Sequence, residues 1–152
     1  MLAFAPATPE QYAEFLQMMR DDGQDYMEIT LCVMQMTWEQ YGQLFRTRGD
    51  VLAINQGADL VGFYRIEQRG DILHLHGLIL KPKFQAQGIG TTVLTMLEKQ
   101  YVGKVDKIEL GVYQENVGAK RLYEKMGFTI IKTLTDLPFH IIQKSLKPQF
   151  VS

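Results

Sequence analysis

Between Val51 and Tyr101 the apolar pattern changes period once, and the change falls at a proline and two glycines. Before it, "VLAINQGADLVGFYRIEQRGD" reads as two strands around the turn Gln56-Gly57-Ala58-Asp59. After Arg69-Gly70-Asp71, "ILHLHGLIL" reads as a third strand. Pro82 stops it, because proline has no N–H to give a ladder. Beyond Gly88 and Gly90, the residues Val93, Leu94, Leu97 and Tyr101 fall at helical spacing. Three successive strands with tight turns predict an antiparallel meander. The helix that follows, with the short apolar strand "KIELGV" behind it, predicts one strand–helix–strand crossover at the centre of the sheet.

The flanks fit the same layout. "MLAFAPATPEQYAEFLQMMRDD" reads as a short strand and then a helix. Thr8 caps that helix, Pro9 takes its first position and Gln11 stands at capping-box spacing. Tyr12, Phe15, Leu16 and Met19 lie on its apolar face. "GQDYMEI" opens a second helical region that runs through "TWEQYGQLFRTRG", with Thr37 and Gln40 capping its last segment and Gly49 ending it. "ENVGAKRLYEKMGF" is a helix with Asn116 as N-cap and Gly127 as its stop. "FTIIKTL" and "FHIIQKSL" form a closing strand pair around Pro138. The expected order is β-α-α-β-β-β-α-β-α-β-β. It describes an α/β fold with a mixed, mostly antiparallel sheet, and residues 1–152 as a single domain.

Composition narrows the function. A net charge of −1 argues against a surface built for nucleic acid. The single Cys32 cannot form an internal disulfide, so a reducing, cytoplasmic setting is expected. Three histidines and one cysteine, without HxxxH or CxxC spacing, predict no metal site. The start "MLAFAPATPE" has no basic region ahead of its apolar run, so no secretory signal is expected. No apolar stretch approaches the roughly 20 residues that cross a bilayer, so no membrane partner is expected.

The turn "FQAQGIGTTVL" carries the chemistry. Glycines at a helix start bare the backbone N–H groups, and the helix end adds a partial positive charge, which suits a phosphate. A dinucleotide fingerprint fails, because Val93 holds the third glycine position and no acidic residue follows at the right distance. A Walker loop fails because no lysine follows Gly90. On spacing alone, a purely structural strand-to-helix turn stays open.

Two segments together resemble the signatures of the GNAT N-acetyltransferase superfamily. The first is Gln/Arg-x-x-Gly-x-Gly/Ala, here Gln85, Gly88 and Gly90. The second is Asn-x-x-Ala-x-x-x-Tyr-x-x-x-Gly-Phe, here Asn116, Ala119, Tyr123, Gly127 and Phe128. The resemblance implies acetyl-CoA as cosubstrate. Its diphosphate would lie against the loop of Gln85, Ala86, Gln87, Gly88, Ile89, Gly90 and Thr91. Its pantetheine arm would pair like an extra strand with Leu78, Ile79 and Leu80, and would touch Asn116. The run "LHLHGLIL" resembles the His-x-His segment of the arylalkylamine N-acetyltransferases, with Gly77 in place of an alanine.

Acetyl transfer to an amine needs a neutral nitrogen, stabilisation of the charge that develops on the carbonyl oxygen, and a proton for the departing thiolate. By resemblance Tyr123 is the acid. His74 and His76, two apart on one strand, share a face, and the same resemblance implies that they relay the amine's proton. Glu109 and Glu67 are weaker base candidates, and which group is the true base stays open. Ribosomal-protein N-terminal acetyltransferases carry a glutamate where this chain has Gly111, which weakens a protein N-terminus as substrate. Cys32 lies outside both signatures and receives no nucleophile role.

The segment "MRDDGQDYMEIT" would wall the acceptor site with Asp21, Asp22, Asp25 and Glu28, and Tyr26, Trp38, Tyr41 and Phe45 would add aromatic surface. The expected function is direct acetyl transfer, in a ternary complex, to the primary amine of a small molecule. The alternatives are a lysine or N-terminus of a protein or peptide, and an acyl-CoA-binding module without turnover. A homodimer is left open.

Overall fold

The computed structural model describes residues 1–147, except for the side chains of residues 24–26 and 45. Seven strands form one sheet in the order β1-β2-β3-β4-β5-β7-β6. The strands are β1 (Leu2–Pro6), β2 (Asp50–Gln56), β3 (Asp59–Arg69), β4 (Ile72–Leu80), β5 (Lys107–Tyr113), β6 (Thr129–Thr133) and β7 (Phe139–Ser145). The helices are α1 (Pro9–Asp22), α2 (Gln24–Met34), α3 (Trp38–Thr47), α4 (Ile89–Tyr101) and α5 (Val117–Lys125). Every ladder is antiparallel except β4–β5, the expected crossover, which α4 connects. The mixed sheet agrees with the α/β expectation.

Capping explains the helix starts. Thr8 and Gln11 form a complete capping box on α1, as Thr37 and Gln40 do on α3. The helical region before β2 is two helices rather than one. Gln35 takes a left-handed conformation (φ 55°) and its amide closes back onto α2, so the chain restarts at the Thr37 cap.

The sheet has two covered faces. On one, α4 lays Val93, Leu94 and Leu97 against Leu73, Leu75, Ile108 and Leu110. All three α4 residues are fully buried, which stabilises the fold by roughly 1.5–3 kcal/mol each. On the other face, Phe15 of α1 packs on Phe63 at 5.4 Å between ring centroids, with Val51 and Ala53.

Two features of β4 position the site. First, its ladder with β5 covers only Ile72–Leu75 against Lys107–Leu110. Beyond Leu75 the two parallel strands part, leaving the edge of Gly77–Leu80 facing a gap. Second, the β3–β4 register shifts between Arg65 and Ile66, so Arg65 pairs with Gly77, Ile66 with Leu75, and His76 is the extra residue of a bulge. Leu73 and Leu75 belong to the core under α4, whereas Gly77 and Ile79 meet the Phe15 core on the α1 face. The bulge thus turns two consecutive residues, His76 and Gly77, toward the α1 face. Regular alternation through "ILHLHGLIL" does not foresee this.

Candidate active site

The gap between β4 and β5 opens into two adjoining cavities. One, of about 720 Å³, runs along the β4 edge to the start of α4. The other, of about 540 Å³, lies under α1, α2 and α3. Leu78, Ile79, Asn116, Ala119 and Tyr123 border both, as does Asp22.

The first cavity gathers all but one of the residues expected to hold a cosubstrate: Leu78, Ile79, Leu80, Gln85, Ala86, Gly88, Ile89, Gly90, Thr91, Asn116 and Tyr123. Gln87 is the exception. Its side chain turns back and donates to Lys83 O at 3.1 Å. Gly88 is the N-cap of α4 in left-handed conformation (φ 79°), which a β-carbon disfavours by about 1–2 kcal/mol. Gly90 has no such need. A Cβ there would meet only Leu78 Cδ2, at an ordinary 3.8 Å. The protein's own packing leaves this position open, and a group lying on the helix start would use the space.

Backbone alternation sorts the three β4 residues. The Lys81 amide donates to Val61 O at 2.8 Å, so Leu80 and Leu78 turn their N–H and C=O groups away from β3, toward the gap. Ile79 turns its own toward β3. A Cβ on Gly62 would collide with the Ile79 carbonyl oxygen, which agrees with that direction. Only Leu78 and Leu80 thus offer backbone groups to an added strand, and Ile79 contributes its side chain. The Leu80 carbonyl already accepts from Gln85 Nε2 at 3.0 Å. Asn116 caps α5 by accepting from Ala119 N at 3.1 Å.

The second cavity holds His76 with Tyr123. Burial pushes the Tyr123 phenol above its ordinary value, so it stays a protonated donor near neutrality. Its ring packs edge-on against Phe128 at 5.7 Å. His76 Nε2 lies 2.9 Å from Glu67 Oε1. Glu67 also accepts from Arg69 at 2.7 Å and faces Arg48, and these bonds hold its carboxyl at about 2, chiefly through Arg69. An ionised carboxylate only accepts, so Nε2 carries the proton and Nδ1 keeps the lone pair. Burial, and then the charge of Arg65, lower the His76 pKa, which keeps the ring neutral at pH 7.

His74 has its own carboxylate. Its Nδ1 is 3.1 Å from Glu109 Oε2, and Glu109 also accepts from Gln143 at 2.7 Å. The two imidazoles stack, 5.6 Å between centroids and 7° between planes, so they share a face as expected. They are not, however, equivalent. His76 borders the cavity that holds Tyr123, whereas His74 borders a third cavity beside it. The two glutamates expected as weaker base candidates each partner a histidine.

The acceptor walls differ from expectation. Of the acidic set, Asp22 borders the main cavity, while Asp21 and Glu28 line a separate groove with Trp38. There the Arg20 guanidinium sits 5.3 Å above the Trp38 ring, so Trp38 is engaged outside the cavity. Asp25, Tyr26 and Phe45 lie outside the described side chains. Tyr41 lines the main cavity as expected. Sequence reasoning missed Glu115, Tyr113, Thr30 and Phe139, which also line it. Glu115 accepts from the Tyr113 hydroxyl at 3.1 Å, and its place directly before Asn116 was an available signal. Among the described residues no group of three or more His, Cys, Asp or Glu could hold a metal ion. No described helix is long and apolar enough to cross a membrane.

Known proteins share this fold. The acetyltransferase (GNAT) family matches residues 12–128. Among solved structures, the PaiA N-acetyltransferase of Thermoplasma acidophilum in complex with coenzyme A has 19% identity and a TM-score of 0.72, over 95% of this chain and 99% of that one. The ribosomal-protein-S18-alanine N-acetyltransferase of Escherichia coli has 17% identity and a TM-score of 0.71, over 99% and 97%. An aminoglycoside 6'-N-acetyltransferase complexed with coenzyme A has 16% identity and a TM-score of 0.68, over 98% and 99%. At these identities the likeness is one of fold. The family match spans both motif segments and the parted strands between them, and on that ground the chain belongs to the GNAT acetyltransferase family.

Proposed function

We propose that the protein transfers the acetyl group of acetyl-CoA to the primary amine of a small molecule, by direct attack in a ternary complex. The observation that carries this reading is the meeting of His76 and Tyr123 in one cavity at the mouth of the β4–β5 gap. Family membership and two neighbours with bound coenzyme A support the cosubstrate. The open edge at Leu78 and Leu80 suits a peptide-like arm, and the bare start of α4 at Gly88 and Gly90 suits a diphosphate.

Acetyl-CoA supplies an activated thioester. The chain supplies position and protons. An amine with a pKa near 10 arrives mostly as ammonium. His76 Nδ1, its lone pair freed because Glu67 holds the Nε2 proton, accepts the ammonium proton directly or through water. Tyr123 gives its hydroxyl proton toward the departing sulfur. Burial makes that phenol a weaker acid, so the donation accompanies departure and does not precede it. His74 and Glu109, beside His76, are placed to pass a proton outward. Asp22 and Glu115 give the cavity an anionic rim that favours a cationic acceptor. An exposed free Cys32 suits a reducing, cytoplasmic setting.

A protein or peptide amine is the second reading, favoured by the likeness to the S18-alanine enzyme. The test is release of free thiol from acetyl-CoA against aromatic amines, polyamines, aminoglycosides and basic peptides. Release with a small amine supports the proposal, and release only with peptides moves it to the second reading. Tight acetyl-CoA binding with no release from any acceptor supports a binding module.

A further inference from the structure

Two glycines lie on the α1 face of the sheet around the histidines: Gly77, which Phe15 covers, and Gly111. Glu109 and Tyr113 on β5, His74 and His76 on β4, and Phe139 and Ile141 on β7 surround Gly111. Nothing in the backbone asks for glycine there, because Gly111 is absent from the positive-φ positions. Nothing in the packing asks for it either. A Cβ would lie 3.9 Å from Ile141 Cδ1 and from Phe139 Cδ1, ordinary contact distances. The position lies where two spaces adjoin. The main cavity and the third cavity, of about 340 Å³, share His76, Gly111 and Phe139.

The two spaces differ in chemistry. The main cavity carries Asp22 and Glu115 beside Tyr123. The third cavity is walled by Leu134, Leu137, Phe139 and Ile141. Its polar groups are already engaged: His74 with Glu109, Glu109 with Gln143, and Arg69 with Glu67 at 2.7 Å. A ligand entering it meets an apolar wall and a floor whose charges are already paired.

We infer that Gly111 is a throat that sets acceptor length, and that the third cavity takes the uncharged, apolar tail of the acceptor amine. The inference rests on the acetyltransferase reading. The amine nitrogen would lie at His76, its tail would pass Gly111, and the tail end would rest against Leu134 and Leu137. A bulkier residue at position 111 closes the passage without touching the acetyl-CoA groove.

The experiment compares unbranched alkylamines from ethylamine to octylamine on the wild type, Gly111→Val and Leu137→Asp. In the wild type, kcat/KM rises about twofold to fourfold per added methylene once the tail reaches the throat, as expected for burial of a CH2 group. Gly111→Val keeps the short amines within about threefold and flattens the series for long ones, with acetyl-CoA affinity unchanged. Leu137→Asp, altered at the far wall, weakens only the longest amines. Equal slopes in wild type and Gly111→Val, or a flat wild-type series, overturn the inference, as does a peptide acceptor that Gly111→Val leaves unaffected. The same amines are titrated by calorimetry into the protein saturated with coenzyme A, which cannot turn over. Absence of thiol release from these amines and from every acceptor of the panel above sinks the acetyltransferase reading, whereas a chain-length slope lacking from binding as well sinks the throat.

Discussion

The two walls of the β4–β5 gap are built from different materials. The β4 edge and the start of α4 offer mainly backbone: the amides and carbonyls of Leu78 and Leu80, the left-handed turn at Gly88, and the uncovered position Gly90. The opposite wall offers side chains drawn from α1, α3, β4, β5 and β7, among them Asp22, Tyr41, His76, Tyr113 and Phe139. A backbone wall recognises what every reaction of this kind shares and tolerates little change in local conformation. A side-chain wall can vary residue by residue, so the proposed function assigns acceptor choice to it. Substitutions on the first wall should therefore damage cosubstrate binding, and substitutions on the second should damage proton transfer or acceptor affinity.

The sharpest break of that division is Tyr123→Phe, since Tyr123 borders both spaces. Loss of its proton should lower kcat by about 100-fold or more, the usual range for a lost acid. Acetyl-CoA affinity, measured by calorimetry, should stay within about threefold. Next in size is Gly88→Val. Forcing a β-branched residue into the left-handed region costs about 1–2 kcal/mol and pushes side chain into the cradle, so acetyl-CoA affinity should fall at least about tenfold. Gly90→Val should weaken acetyl-CoA while leaving the thermal midpoint within about 2 °C, because the free fold has room there. A fall in stability that parallels the loss of binding would return Gly90 to a packing role.

Glu67→Gln comes fourth. Glu67 raises the His76 pKa, so its removal should move the acidic limb of kcat/KM to lower pH. It also frees the imidazole tautomer, and kcat should fall about tenfold. Stability carries a second sign. The folded carboxyl sits at about 2 against an ordinary 4.5, so Glu67 stabilises the fold above pH 4.5, and that contribution is lost as pH falls toward 2. Urea titrations across that window should show a smaller pH dependence in the variant. The smallest effect is expected from Asp22→Asn, a few-fold rise in KM for cationic amines with kcat retained, because a charge at a solvated rim is well screened.

The first wall was legible in the sequence because its parts are consecutive. One turn, from Gln85 to Thr91, and one strand end supply it, and helix capping at Thr8, Thr37 and Asn116 is local chemistry of the same kind. The turn of the Gln87 side chain back onto Lys83 and the direction of the Ile79 backbone were not legible, because both depend on how the chain folds back on itself. The second wall was mostly illegible. Glu115 and Phe139 reach the cavity through tertiary convergence, and Asp21 and Glu28 reach a different groove because a helix face divides them from Asp22. The inequivalence of His74 and His76 follows from where β4 and β5 part, since the ladder includes His74 and ends before His76, and a strand pattern does not encode where its neighbour leaves it. The break at Gln35 was missed because a left-handed residue other than glycine leaves little trace in composition.

The account turns on His76 as the base, held neutral by burial and fixed in one tautomer by Glu67. The direct measurement is the pH dependence of kcat/KM for thiol release, with the best small amine, in wild type and His76→Gln, with His74→Gln beside them. The wild type should lose activity as pH falls through a value below 6.5, the ordinary histidine pKa. His76→Gln should lose that limb and most of its rate, while His74→Gln keeps the limb and loses less. A limb that persists unchanged in His76→Gln and disappears in His74→Gln would contradict the assignment and move the base to the third cavity.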